Sequence, residues 1–318
     1  MAEHEGTGRR IVAAVITLIV PGAGHVYRGR LRRGVAWFAA LALLYVALPW
    51  SGPLGFLLVW GAHFLGVPVD AAVCRRGPPL PNKVQLGAAA TMIVVMASMV
   101  LTIRLYLVEA FKVPGASMCP TLLIGDLFYV NKLAGPSLGA VIVFRHPHQP
   151  RDFVKRVVAV AGDHVAVNGG VLYRNGAAVP RGPSAPCRVD DRDEMTGQWQ
   201  PLEGVCAEET LGGHHFTVML NVDGPSEALD FPGANGDRPP SFYAGGSRRP
   251  PPLEVTAAGD YVVPAGHVFV LGDSRDNSND SRGWGPVPVG NVRGTAMYVW
   301  WSRGPDGVRW GRLGHSIE

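Results

Sequence analysis

The sequence predicts a mainly β domain carried behind an N-terminal region of transmembrane α-helices. Three observations lead there. The first third of the chain holds long apolar runs separated by short basic loops. That region keeps the charged fraction of all 318 residues down to 17%, low for a soluble protein. After Glu109 the texture changes to short β-type runs broken by Gly, Pro, Asn and Asp. These runs do not alternate with helix-length periodic segments, as an α/β sheet would require. A hydrophobic content of 47% suffices for one medium domain plus membrane segments, or for two small domains.

Residues 1–108 read as the membrane region. The opening MAEHEGTGRR is polar and expected on the cytoplasmic side. Residues 11–26 are apolar but broken at Pro21-Gly22-Ala23-Gly24, with arginines on both flanks. Positive charge favours the cytoplasmic face, so both flanks want the same side. A re-entrant hairpin turning at the Pro-Gly break satisfies this better than a short span. A cleavable leader would need a secreted domain next, and another apolar segment follows instead. Residues 34–50 and 53–73 read as two spans of a helical hairpin, each near the ~20 residues a crossing requires, with Trp50 at the interface. The basic, Pro-rich loop Arg75–Lys83 is expected to be cytoplasmic and non-helical. Residues 86–107 form the last span, and its Arg104 can snorkel to the headgroups. Basic loops inside place everything after Glu109 outside.

Residues 109–318 form the β domain. Candidate strands are 127–131, 140–144, 153–161, 164–168, 171–174, 215–220, 267–271 and 295–301. Gly169-Gly170 and Asn175-Gly176 mark hairpin turns. Between about 180 and 260 Gly, Pro and Asp are dense, and the expectation is an inserted, loop-rich cap subdomain. Net charge is only +4 without a Lys/Arg stripe, so nucleic-acid binding has no electrostatic footprint. No metal-ligand spacing is present, and His146, His148, His214 and His215 read as surface or strand histidines. Cys74 is expected on the cytoplasmic side and Cys119 as a small packing residue. Cys187 and Cys206 share the later domain, and their pairing is left open, because geometry decides it.

Three blocks carry the chemistry. The first is Val113-Pro-Gly-Ala-Ser-Met-Cys-Pro-Thr-Leu122, a Gly/Pro-rich loop that leaves the Ser117 hydroxyl accessible. Serines in such loops are ordinarily turn formers. The second is Asp152-Phe-Val-Lys-Arg-Val-Val-Ala-Val-Ala-Gly-Asp163. A serine needs a base to take its proton, and Lys155 can serve only when neutral. Lowering its ordinary pKa of about 10.4 by two to three units costs roughly 3–4 kcal/mol, which burial supplies. Strand alternation puts Phe153 and Val157 on the face of Lys155 and turns Arg156 away. The third block is Gly272-Asp-Ser-Arg-Asp-Asn-Ser-Asn-Asp-Ser-Arg282.

In this order the three blocks resemble the type I signal peptidases, the membrane-bound Ser/Lys proteases of the S26 family, from about Glu109 to Trp301. The resemblance implies a signal-peptidase-like β fold whose variable cap is the 180–260 insert. It implies Ser117 as nucleophile, Lys155 as general base and then acid, and Ser278 as the hydroxyl that hydrogen-bonds and orients the Lys155 amine. Met118 would pack beside the nucleophile and shape the pocket. The oxyanion would be held by the Ser117 N–H. Gly115 stands where some relatives carry a second, hydroxyl donor. Gly272, Asp273, Asp280 and Arg282 would brace the site. Further departures from the family pattern are Ala140 and Ser274.

The implied substrates are signal peptides of exported preproteins, cut after small residues. The bilayer is an implied partner, and the protein export machinery a further candidate one. No cofactor is called for. The expected location is the inner (plasma) membrane, multi-pass, with the catalytic domain on the extracytoplasmic, periplasmic side. Ser117 lies ten residues past Leu107, so an extended link spans at most about 35 Å. The alternatives are a dedicated maturation protease of one secretion or conjugation system, and a catalytically silent membrane scaffold. A soluble Ser/Lys self-cleaving repressor is disfavoured by the membrane segments.

Overall fold

The computed structural model describes residues 2–47, 52–75, 77–193, 195–223, 230–231 and 260–317. The chain divides into two compact units, Met1–Val108 and Glu109–Glu318.

The first unit is helical. Its elements are α1 (Ala2–Ile19), α2 (Ala23–Tyr27), α3 (Leu31–Ala47), α4 (Gly52–Gly61), a π-helical turn (Ala62–Gly66), α5 (Val67–Val73) and α6 (Asn82–Thr102), which runs on as a π-helical turn to Leu107. The polar opening is therefore helical too, and the Pro-Gly break becomes the α1–α2 turn, with Gly22 in the left-handed region at φ 83°. Val20, Ala23, Val26 and Met92 form the centre of this unit. Asp70, inside the segment read as an apolar span, accepts hydrogen bonds from Trp37 Nε1 at 2.8 Å and Arg33 Nε at 2.9 Å, and lies 2.8 Å from His25 Nε2.

The sequence leads to an expectation of several membrane-spanning helices. Among the described residues one helix is both long and apolar enough to cross a bilayer, the 26 residues Asn82–Leu107. Arg32 and Arg33 open α3, and α5 carries Asp70. Asp70 interrupts the apolar stretch anticipated at 53–73, whereas Arg32 and Arg33 precede the one at 34–50. The turn anticipated between those two segments, with Trp50, lies outside the described residues.

The second unit is mainly sheet. Its largest sheet runs in the order β1 (Val108–Lys112), β2 (Asp126–Asn131), β14 (Val292–Gly304), β3 (Val141–Arg145), β4 (Asp152–Val160), β12 (His267–Leu271), β13 (Val287–Pro288), and β15 (Gly307–Val308) pairs with β14. A four-stranded sheet has the order β11 (Tyr261–Val262), β5 (His164–Asn168), β6 (Val171–Arg174), β7 (Ala177–Ala178). Three apolar clusters form the core of the unit, built from alternate residues of these strands such as Ile142, Phe144 and Val157 on one side and Val141 and Val143 on another. Lys155 faces Ile142 across the β3–β4 pair.

The insert departs from expectation. The expected strand 215–220 is present, and residues 185–211 are not loop-rich but join it in a three-stranded antiparallel sheet, β8 (Ala185–Arg192), β9 (Trp199–Leu211) and β10 (His214–Leu220), ordered β10-β9-β8. A disulfide between Cys187 and Cys206 joins β8 to β9. Strand β8 buries few side chains fully, so the apolar alternation that betrays a strand is absent. Residues 224–229 and 232–259 of the anticipated insert lie outside the described residues.

Candidate active site

Ser117 sits in a 3₁₀ turn, Ala116–Met118, in the connection between β1 and β2. With three residues per turn, consecutive side chains point about 120° apart. Ser117 consequently faces a cleft while Met118 is fully buried among Val113, Leu122 and Phe128. Met118 does not itself line the cleft but packs against Phe128, which does. The loop after Ser117 is held by Asp126, which accepts from Leu123 N at 2.8 Å and pairs with Arg312 at 2.6 Å.

Lys155 comes from the middle of β4. Its Nζ lies 2.6 Å from Ser117 Oγ and donates to the Val154 carbonyl at 3.0 Å. The side chain is buried, with the Phe153 ring centroid 5.7 Å from Nζ. Burial pushes its pKa down to about 8, and Arg282 adds to the depression; Asp280 and Asp273 oppose it. A neutral amine has one lone pair and two N–H groups. The lone pair can accept the Ser117 proton while one N–H stays on Val154.

The block after β12 closes the other side. The expected hydrogen bond from Ser278 to the Lys155 amine is not formed; the amine's partners are Ser117 and Val154. Ser278 Oγ is buried without a hydrogen-bond partner. It lies by the Asp280 carboxylate and helps favour its charged form, at a geometry too loose to count as a hydrogen bond. Gly272 is required by close approach: a Cβ there would overlap Ser278 Oγ and the Ser117 carbonyl oxygen. Ser117 is tied to the same block by Ser274 N donating to its carbonyl at 3.2 Å.

Two buried ion pairs stiffen these segments. Asp273 receives Arg156 in a two-pronged pair at 2.8 and 2.7 Å, and Thr121 Oγ1 at 2.5 Å. Arg156 also donates to the Gly139 carbonyl at 2.6 Å and stacks 3.7 Å from the Phe216 ring centroid. Asp280 receives Arg282 Nε and Nη2, both at 2.8 Å, and Gly272 N at 3.0 Å. Its carboxyl is held below the ordinary range by Arg282 and these hydrogen bonds, against the opposing effect of burial. Sequence reading turned Arg156 away from the site but gave no sign of its partner, 117 residues further on.

The cleft has a volume of about 1230 Å³. Gly115 lines it, as do Ser117, Lys155, Ser278, Asp280 and Arg282. Its apolar wall holds Phe111, Phe128, Val143, Phe153 and Val154, and its far side holds Asp191, Asp193 and Gln200. Of this wall, Phe153 is the residue that strand alternation places beside Lys155. His146, read as a surface or strand histidine, is buried against Phe153 and Trp284, with ring centroids 4.7 and 4.8 Å away. Burial, with smaller effects from His148 and Lys155, pushes its pKa down to about 4. Cys119 is buried beneath the Ser117 turn, and burial pushes its thiol up to about 12.

Residues 86–301 match the family described as signal peptidase, peptidase S26. The chain is 34% identical over 218 residues to a signal peptidase I of Aquifex aeolicus, covering 64% of this chain and 79% of that protein. It is 30% identical over 233 residues to one of Pseudomonas aeruginosa, covering 64% of this chain and 68% of that protein. A probable signal peptidase I-1 of Synechocystis is 28% identical over 252 residues, covering 75% and 93%. With a family match across two-thirds of its length, this chain belongs to the S26 family of signal peptidases.

Proposed function

We propose that this protein is a membrane-bound serine endopeptidase that removes N-terminal signal peptides from exported preproteins, cutting after small residues by a Ser117/Lys155 dyad. The observation that carries this reading is the buried Lys155 amine, 2.6 Å from Ser117 Oγ and depressed to a pKa of about 8. Near neutrality a useful fraction of the amine is uncharged, and general bases work best with a pKa near the working pH. Ser117 Oγ attacks the scissile carbonyl as its proton passes to Lys155 Nζ. The Ser117 N–H, at the head of its 3₁₀ turn and free of an intrahelical partner, donates to the developing oxyanion. Gly115, without a hydroxyl, offers no side-chain donor there. The Lys155 ammonium then returns the proton to the leaving amine. A water, deprotonated by the same amine, hydrolyses the acyl-enzyme. Asp273, Asp280, Arg282 and Gly272 hold the geometry, and Ser278 receives the amine's remaining N–H during turnover.

The apolar wall beside Ser117 suits an uncharged, extended segment. Helix Asn82–Leu107, ending ten residues before Ser117, supports work close to a bilayer. The segments 34–50 and 53–73 are proposed as further membrane elements, with the catalytic unit on the extracytoplasmic side. The test is cleavage of a model preprotein in detergent micelles, with the new N-terminus mapped by mass spectrometry. The reading expects one cut after a small residue, absent with Ser117→Ala. Equal product from the variant would overturn it.

A further inference from the structure

We infer that the disulfide-stapled β8–β9 hairpin is a positioning element of the peptidase site: it seats the loop bearing Ser117, and so couples turnover to the oxidation of Cys187 and Cys206. The inference rests on the Ser117/Lys155 reading above.

The cross-strand pairs run Ala185–Cys206, Cys187–Gly204, Val189–Leu202 and Asp191–Gln200. Side chains alternate along a strand, so these residues share one face of the hairpin. The disulfide lies at the base of that face. Next come Val189 and Leu202, which with Trp199 pack against Ala116, Cys119 and Ile124. Asp191 and Gln200 follow and line the cleft. Ala116 directly precedes Ser117. A second strap runs over the same contact: Arg309 donates to the Ile124 carbonyl at 2.9 Å and pairs with Asp190 at 3.0 Å.

The inserted sheet also grips the opposite side of the site. Glu209 on β9 is buried between Arg275, at 2.5 Å, and Arg181, at 2.6 Å. Met219 N donates to the Asp273 carbonyl at 2.8 Å, Arg275 N to the Met219 carbonyl at 2.9 Å, and Asn221 N to Asp276 Oδ2 at 2.8 Å. One small sheet therefore braces both the Ser117 loop and the block bearing Ser278. Yet β8 is an edge strand that buries little of itself, and sparse hairpins hold poorly in water. The disulfide supplies what β8 lacks in packing. It forms by two-electron oxidation of two thiols, which oxidising compartments favour and the cytosol does not. A newly made chain is thus held at low turnover until its catalytic unit reaches an oxidising compartment.

The test compares oxidised wild type with enzyme reduced by dithiothreitol and alkylated at Cys187 and Cys206. Reduction breaks the S–S bond to two thiols while the reagent leaves as its cyclic disulfide. Cleavage in micelles is expected to show kcat lower by on the order of tenfold, as small misplacements of reacting groups do, with KM within about twofold. Cys187→Ser/Cys206→Ser should match the reduced enzyme and ignore dithiothreitol, which removes any effect through Cys74 or Cys119. Trp199→Ala should also lose kcat, and Trp199→Phe should restore it.

Hydrogen exchange is followed in parallel. Amides of residues 115–124 should exchange faster after reduction, while those of β4 stay protected. Unchanged kcat and unchanged exchange in fully alkylated enzyme overturn the proposal. So does equal acceleration in β4, which would mean global loosening only. If oxidised wild type does not cleave at all, the peptidase reading fails, and the exchange result still decides whether the hairpin seats the loop.

Discussion

Replacing Phe153 by alanine should shift the pH dependence of cleavage without lowering its ceiling. The Phe153 ring lies 5.7 Å from Lys155 Nζ and lines the cleft. Two effects oppose each other there. The ring face attracts the cation, worth about 0.5 kcal/mol at that distance, or roughly 0.4 of a pKa unit. The ring also keeps water from the amine, and burial is the largest cause of the fall from 10.5 to about 8. Desolvation therefore wins, and removing the ring raises the pKa. With a recovery of about one unit, the neutral fraction at pH 7 falls from roughly 9% to roughly 1%, or about ninefold in kcat/KM. Above the new pKa the two enzymes should converge. The assay is kcat/KM for a preprotein substrate from pH 6 to 10.5, with the acid limb of wild type expected at a midpoint of about 8. A wild-type midpoint near 10.5, or a variant with the midpoint unchanged and only the plateau reduced, would refute the link between burial and the base.

Lys155→Met should abolish cleavage yet stabilise the fold. The folded pKa lies below the unfolded one, so the burden of the buried cation is fully present below about pH 8 and disappears as pH rises through 10.5. Thermal melts should favour the variant at pH 7 by up to about 3 kcal/mol, less the lost bonds, with the gap closing by pH 10.5. Asp273→Asn leaves the Arg156 guanidinium buried without a counter-charge. Breaking such pairs costs about 3–5 kcal/mol, and at this domain size the melting temperature should drop by about 10 °C. Gly272→Ala pushes a methyl into Ser278 Oγ and the Ser117 carbonyl. The predicted loss in kcat is on the order of a hundredfold, and activity within about twofold of wild type would show that the backbone there is free to move.

What the sequence made legible was local. Strand β3 announces itself by an apolar run, and β4 by apolar residues on either side of a lysine. The loop around Ser117 is marked by its Gly and Pro, and β5 and β6 by their turn residues. What stayed hidden depended on distant partners. β8 and β9 hold Pro186, Pro201 and Gly204 and bear few apolar residues along the cleft-side face, whose contacts are a disulfide and a seat on Ala116, Cys119 and Ile124. Met118 was read by adjacency to Ser117, and the 3₁₀ turn sends it inward. Arg156 and Asp273 are ordinary residues until the sheet brings β4 beside β12. In the helical unit, one helix among the described residues is long and apolar enough to cross a bilayer, Asn82–Leu107, and Asp70 sits inside the apolar run at 53–73.

The central claim is that Ser117 and Lys155 act as one unit. The most direct measurement is preprotein cleavage by wild type, Ser117→Ala, Lys155→Met and the double variant, in one micellar assay at pH 8.5 and in the linear range. Groups that work together are strongly non-additive when removed. The account predicts that each single variant falls to the same residual rate as the double. Single variants whose losses multiply in the double, or a Lys155→Met enzyme that still cleaves at a large fraction of the wild-type rate, would contradict it.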